Sequence, residues 1–179
     1  MKEDFLAVVQ AKRFLGREFL TWLVHRIEDG DGRFPIEGDV IEVALGDRVV
    51  LAGGEGDKET LTVVGAGDVG AEIGAGLRRG KLIDKARFTV TRGERRWELV
   101  LDGGMFTYDG LRCPALGDRD PQGDARAAFE NDLFLRLADV DEAIGFMDGL
   151  FAEFCRVRGD RTWRTRELPA LRAWVDGLR

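Results

Sequence analysis

The sequence predicts an α+β fold, an antiparallel sheet with a basic hairpin, packed against N-terminal and C-terminal helices. Three observations predict it. Apolar residues alternate from Lys81 to Leu101 around a break at Arg92-Gly93-Glu94-Arg95, the pattern of a two-stranded ribbon with one wet side. Short apolar runs punctuated by Gly and Asp precede it. After it, Phe129, Leu133, Leu137, Val140, Ile144, Met147, Phe151 and Phe154 recur at spacings of three and four, the period of one helix face.

The 179 residues suit a single α+β domain spanning residues 1–179, long enough to bury its own core. A hydrophobic content of 44% beside 34% charged residues is globular rather than disordered. There are two cysteines, Cys113 and Cys155, and no signal-like apolar segment near Met1. The expectation is a cytoplasmic protein with free thiols. No apolar run approaches the roughly 20 residues of a membrane span, so no membrane partner is expected.

Near the start, Phe5, Leu6, Val8 and Val9 fit either a strand or a separate helix. Leu15, Phe19, Trp22, Leu23 and Ile27 then share one helix face, and Gly30-Asp31-Gly32 with Pro35 ends that helix. His25, the only histidine, sits beside this stripe. With no second ligand at metal spacing and no nucleophile it reads as structural, and neither a metal nor a cofactor is expected. Three short runs follow, Val40–Leu45, Val49–Leu51 and Leu61–Val64, separated by Gly46-Asp47 and Gly53-Gly54-Glu55-Gly56-Asp57. They read as a β-meander.

Gly65-Ala66-Gly67-Asp68-Val69-Gly70 is a literal G-x-G-x-x-G after a strand. In a dinucleotide-binding unit such glycines let backbone N–H groups approach a pyrophosphate. Here the helix that follows, Val69–Arg79, is short and holds Gly70, Gly74 and Gly76, and no carboxylate stands where a ribose would be held. A glycine-rich loop with Asp68 capping the short helix is the better reading.

The hairpin comes next, with Ala86, Phe88, Val90, Trp97, Leu99 and Leu101 directed inward. Lys85, Arg87, Thr89, Thr91, Arg96, Glu98 and Val100 alternate outward. A third strand spans Met105–Tyr108 and Pro114 closes it. Residues 117–124 carry turn chemistry without the twelve-residue ligand spacing of a calcium loop, and Asp124 is placed to cap a helix. In the long seam, Asp139 and Glu142 have the spacing of a capping box, which predicts two helices meeting near Ala138. The seam has more apolar positions than one sheet face needs, and its surplus fits a dimer interface. A last helix from Glu167 to Leu178 presents Leu171, Trp174 and Leu178, with Pro169 in its first turn.

Charge is unevenly spread. Between Arg78 and Arg96 lie eight bases, Arg78, Arg79, Lys81, Lys85, Arg87, Arg92, Arg95 and Arg96, against two acids, while the chain as a whole carries −6. Lys and Arg held on a rigid sheet face can neutralise phosphates and release counterions; charge by itself gives these eight no function, and it is a family resemblance that makes them the candidate DNA-binding set. The acidic total stands against a protein coated in positive charge. Asp102 with Asp109, and Asp139 with Asp141, are acid pairs without a nucleophile, histidine or metal-ligand spacing, so no catalytic residue is assigned.

Four stretches resemble the C-terminal portion of RdgC, a family of bacterial recombination-associated DNA-binding proteins. They are Phe19-Leu20-Thr21-Trp22-Leu23, the segment Ile73–Lys85 ending in Leu77-Arg78-Arg79-Gly80-Lys81-Leu82-Ile83-Asp84-Lys85, the strand pair after it, and Phe129-Glu130-Asn131-Asp132-Leu133-Phe134-Leu135. The resemblance covers about residues 15–154 and leaves 155–179 as a helical extension. It implies a homodimer that holds double-stranded DNA without strong sequence preference and modulates recombination. The Gly80-Lys81 turn, Lys85 and Arg87 would face the duplex. The alternative is a non-enzymatic protein–protein assembly or scaffold module that keeps the fold and does not bind DNA.

Overall fold

The computed structural model describes residues 13–36, 38–53, 59–65, 70–117 and 124–178. The group at Phe5–Val9, most of the 53–57 loop, the Asp68 cap and residues 118–123 lie outside them. Helix α1 runs Arg13–Glu28, and the strands are β1 Arg33–Ile36, β2 Asp39–Ala52, β3 Thr60–Val64, β4 Leu82–Arg92, β5 Arg95–Asp102 and β6 Thr107–Arg112. A short helix α2, Gly70–Arg78, precedes β4. After the sheet come α3, Ala125–Gly159, a π-helical turn at Trp163–Glu167, and α4, Leu168–Gly177. The molecule is α+β, with an antiparallel sheet and helices from both ends of the chain.

The sheet order is β1-β2-β4-β5-β6, and β3 also pairs with β2. Strand β2 is long enough to hold two neighbours on one side, β1 against Asp39–Glu42 and β3 against Arg48–Ala52. On its other side β4 runs along it from Glu42 to Ala52. This differs from the expected meander. Gly46-Asp47 does not turn the chain; it is a bulge inside one 14-residue strand, where the register to β4 shifts between Leu45 and Val49. A Cβ at Gly46 would lie 2.8 Å from Arg87 Cγ, so the glycine makes room for the Arg87 stem across the sheet.

The hairpin forms as the alternation predicts. Arg92 pairs with Arg95 across a two-residue turn whose first residue, Gly93, has φ +58°, a conformation that costs glycine little. Phe88, Val90, Trp97, Leu99 and Leu101 are buried on one face, beneath α1 and α3. Phe19, at the centre of α1, meets Phe106, Phe151 and Phe154, with its ring edge-on to Phe151 at 5.2 Å. The third strand starts two residues later than expected, because Met105 and Phe106 belong to the turn; Phe106 takes φ +53° and buries its ring.

Helix α2 explains the glycines around it. A Cβ at Gly76 would stand 3.0 Å from Leu51 Cδ2, and one at Gly74 would stand 2.6 Å from Leu178 Cβ. These glycines let the short helix lie close against β2 and the end of α4.

Helix α3 is continuous for 35 residues and is capped at Asp124, whose side chain accepts the Arg126 N–H. The break expected near Ala138 does not occur. The helix runs on through this point, so its backbone N–H groups are already bonded within it, and the Asp139 and Glu142 carboxylates hold the hairpin arginines instead. His25 is 4% exposed, with its ring centroid 5.3 Å from that of Trp174, a structural position. Cys113 and Cys155 are both only half-buried. Among the described residues no helix is long and apolar enough to cross a membrane.

Candidate functional site

The eight cations do not share one face. Three of them, Lys85, Arg87 and Arg96, stand on the open side of the sheet. Lys85 Nζ is 2.6 Å from Asp102, Arg87 is 3.0 Å from Asp47, and Arg96 is 2.8 Å from Glu98. Arg33 with Glu42, and Arg112 with Glu98, extend the pattern to both ends of the sheet. The open face therefore carries alternating charges that neutralise one another within the chain. Burial alone would push the Asp102 carboxyl up, but the hydrogen bonds from Lys85 and the Met105 N–H outweigh it and hold the group below its ordinary range. The same bond raises Lys85.

Two others, Arg92 and Arg95, reach around the end of the hairpin toward α3. Arg92 bridges Asp39 at 2.6 Å and Glu142 at 2.7 Å. Arg95 holds Asp139 and Glu142, both at 2.5 Å, and its guanidinium lies over the Trp97 ring at 4.6 Å. The remaining three lie near α2. Arg78 donates to the carbonyls of Val175 and Leu178 at the end of α4, where a helix C-terminus favours a cation. Lys81 is 8% exposed, donates to the Glu59 carbonyl and sits 3.8 Å from its carboxylate. Arg79 is exposed and has no ion-pair partner among the described residues.

Alternation in a strand assigns side chains to faces, which placed Lys85, Arg87 and Arg96 correctly. It carries no information about carboxylates from β2 or α3 that arrive beside them. Arg92 and Arg95 fall on the buried parity of their strands, and that signal was available in the sequence.

A second feature is the first 14 residues of α3, residues 125–138, none of which is buried. Among the described residues the first buried residue of the helix is Asp139, which takes Arg95 and the Trp97 indole N–H, just after Arg136 donates to the Pro114 carbonyl. Before that point Phe129 is 62% exposed, Phe134 70% and Leu137 57%, with Leu133 and Leu135 close behind. The apolar seam was visible in the sequence, but among the described residues its N-terminal half buries none of its apolar side chains. One and a half turns further along, Ile144 is also exposed, beside a groove of about 500 Å³ lined by Arg92, Asp141, Glu142 and Asp148.

Among the described residues no group of three or more His, Cys, Asp or Glu is placed to hold a metal ion. Comparison of the chain with protein-family models, with curated proteins and with solved structures found no match, and so nothing there identifies the RdgC family.

Proposed function

We propose that this protein is a non-enzymatic assembly module that works through protein–protein contact. The observation that carries the reading is the first half of α3, on which, among the described residues, Phe129, Leu133, Phe134, Leu135 and Leu137 are all exposed. An exposed apolar patch of that size on a protein otherwise rich in charge is the mark of a surface made to be covered.

Duplex DNA is the competing reading and rests on the hairpin cations. Six of the eight have a carboxylate within 4.0 Å and a seventh is spent on helix carbonyls. To bind phosphates they would first have to leave those partners, which removes most of the gain from counterion release. Gel retardation of duplex DNA at two salt concentrations separates the readings. The assembly reading expects no shift at low salt with micromolar protein. A shift that weakens steeply with salt and is lost when Lys85, Arg87 and Arg96 are changed together to Glu overturns it in favour of DNA.

A further inference from the structure

Resting on that reading, we infer that the cleft between the end of α1 and α4 takes an arginine side chain presented by a partner protein. The cleft has a volume of about 600 Å³ and is lined by Glu28 and Asp29 from the end of α1 and by Ala170, Ala173, Trp174 and Gly177 from α4. A guanidinium and its apolar stem fit in that space.

Charge comes first. Glu28 and Asp29 are exposed at the C-terminal end of a helix, where the peptide dipoles add to their negative charge and favour a cation. Among the described residues neither is paired with a Lys or Arg, unlike Asp47, Asp102, Asp139 and Glu142. Arg26, close by in the chain, is turned to Glu167 at 4.0 Å and to the Trp22 ring. Behind Asp29 lies His25, 4% exposed, with Nε2 3.6 Å from the carboxylate and both ring nitrogens without a hydrogen-bond partner among the described residues. Burial holds that imidazole below its ordinary value, so at neutral pH it is uncharged and leaves Asp29 open to a donor from the cleft.

Trp174 selects arginine among cations. Of the four tryptophans, Trp22, Trp97 and Trp163 are buried, while Trp174 is half-buried and lines the cleft. A planar guanidinium stacks on an indole and bonds a carboxylate through two N–H groups, which a compact ammonium does less well. The chain already makes this combination internally, since Arg95 lies 4.6 Å over Trp97 while it holds Asp139 and Glu142. The cleft again places an indole beside two carboxylates, without an arginine among the described residues to join them.

The small residues point to a protein as the source. Ala170, Ala173 and Gly177 are exposed, so a partner's backbone can come close to α4 without meeting a long side chain. A free guanidinium compound gains only the ion pair and the stacking contact, and it loses its own translational freedom for them. A side chain on a protein adds contacts along α4 for the same loss.

The test titrates the full chain at neutral pH against a blocked, fluorescein-labelled peptide of three Gly-Arg repeats, from about 1 µM to 2 mM protein or peptide. Peptide anisotropy reads the affinity, and the tryptophan emission, with unlabelled peptide, reads the place. The expected result is saturable binding that changes the emission and is absent when citrulline replaces arginine. Glu28→Gln with Asp29→Asn weakens it roughly tenfold or more, while Glu94→Gln with Asp109→Asn, two exposed acids elsewhere that remove the same charge, leaves it within about twofold. Trp174→Leu abolishes the emission change and weakens the affinity several-fold. If the urea midpoint of the first double variant moves, Glu28→Gln alone carries the comparison, because it leaves the Asp29–His25 contact in place. Absence of binding overturns the inference, as does equal binding of the citrulline peptide or an equal loss from the two acid pairs. So does agmatine, a free guanidinium compound, competing as tightly as the peptide, which assigns the cleft to a small molecule. None of these titrations uses duplex DNA, so failure of the arginine cleft is read here and failure of the assembly reading in the gel.

Discussion

The indole Nε1–H of Trp97 donates to the backbone carbonyl of Asp139 at 3.0 Å, while the side chain of the same aspartate holds Arg95, whose guanidinium lies over the Trp97 ring. One residue of α3 thus engages two residues of β5 at once. Trp97 is fully buried and meets Phe146 edge-on at 5.2 Å, so this node is where α3 begins to contribute buried residues to the core.

Asp139→Ala removes the carboxylate and leaves the backbone carbonyl to Trp97. The substitution is expected to cost about 1–3 kcal/mol, because Arg95 is left over an aromatic ring with one acid instead of two and a buried site is emptied. Urea unfolding at neutral pH measures it. A midpoint unchanged from the parent would show that Glu142 and the indole bond suffice to dock the helix.

Gly149 faces Ile36 of β1 so closely that a Cβ would come within 2.7 Å of Ile36 Cγ2. Replacing this glycine by alanine ordinarily strengthens a helix by close to 1 kcal/mol. Here the sign is expected to reverse, with Gly149→Ala destabilising by about 1–3 kcal/mol through overpacking against a β-branched residue that has little freedom to move. The thermal midpoint reads the sign directly.

Lys85 and Asp102 predict a pH dependence. The folded Asp102 is held below its ordinary range, so the stability it contributes is present above about pH 4 and is lost as pH falls through the lower folded value. Lys85→Met removes the hydrogen bond that opposes burial most, leaving only the Met105 and Gly104 N–H groups against it, so the folded carboxyl is expected to rise. The variant is then expected to be less stable than the parent at neutral pH, with the gap closing as the solution is acidified toward pH 3. A gap that stays constant from pH 7 to 3 would mean the pair does not set the Asp102 charge.

His25 is pushed below its ordinary value near 6.5, first by burial, with Arg26 acting the same way and Asp29 and Glu167 opposing. Among the described residues its ring nitrogens have no hydrogen-bond partner, and Asp29 stands 3.6 Å away. Because the unfolded chain takes up a proton near pH 6.5 that the folded chain declines, stability contributed here is complete above that pH and falls below it. His25→Phe keeps the ring against Trp174 and is expected to flatten the stability profile between pH 7 and 5. A profile with the same slope in both proteins would place the titrating group elsewhere.

Much of the fold was legible in the chain because its signals are local. Alternation located the hairpin, Asp124 announced the start of α3, and Gly30-Asp31-Gly32 marked the end of α1. The misreadings came where a local rule met a distant partner. Gly46-Asp47 has turn chemistry yet sits inside β2, because β4 runs along the strand and holds it extended through a bulge. Asp139 and Glu142 have capping-box spacing yet sit inside a continuous α3, where their carboxylates hold Arg92 and Arg95 rather than a helix N-terminus.

The candidate site divides in the same way. The sequence by itself determined that eight cations cluster between Arg78 and Arg96 and that an apolar stripe begins at Phe129, since both are properties of neighbouring residues and of period. Only the tertiary structure decided that Asp47, Asp102, Asp139 and Glu142 would neutralise cations 17 to 50 positions away in the chain. Only it decided, too, that the stripe before Asp139 would stay exposed among the described residues. Ion pairing and burial depend on which surfaces meet in space, and strand pairing fixes that after the local choices have been made.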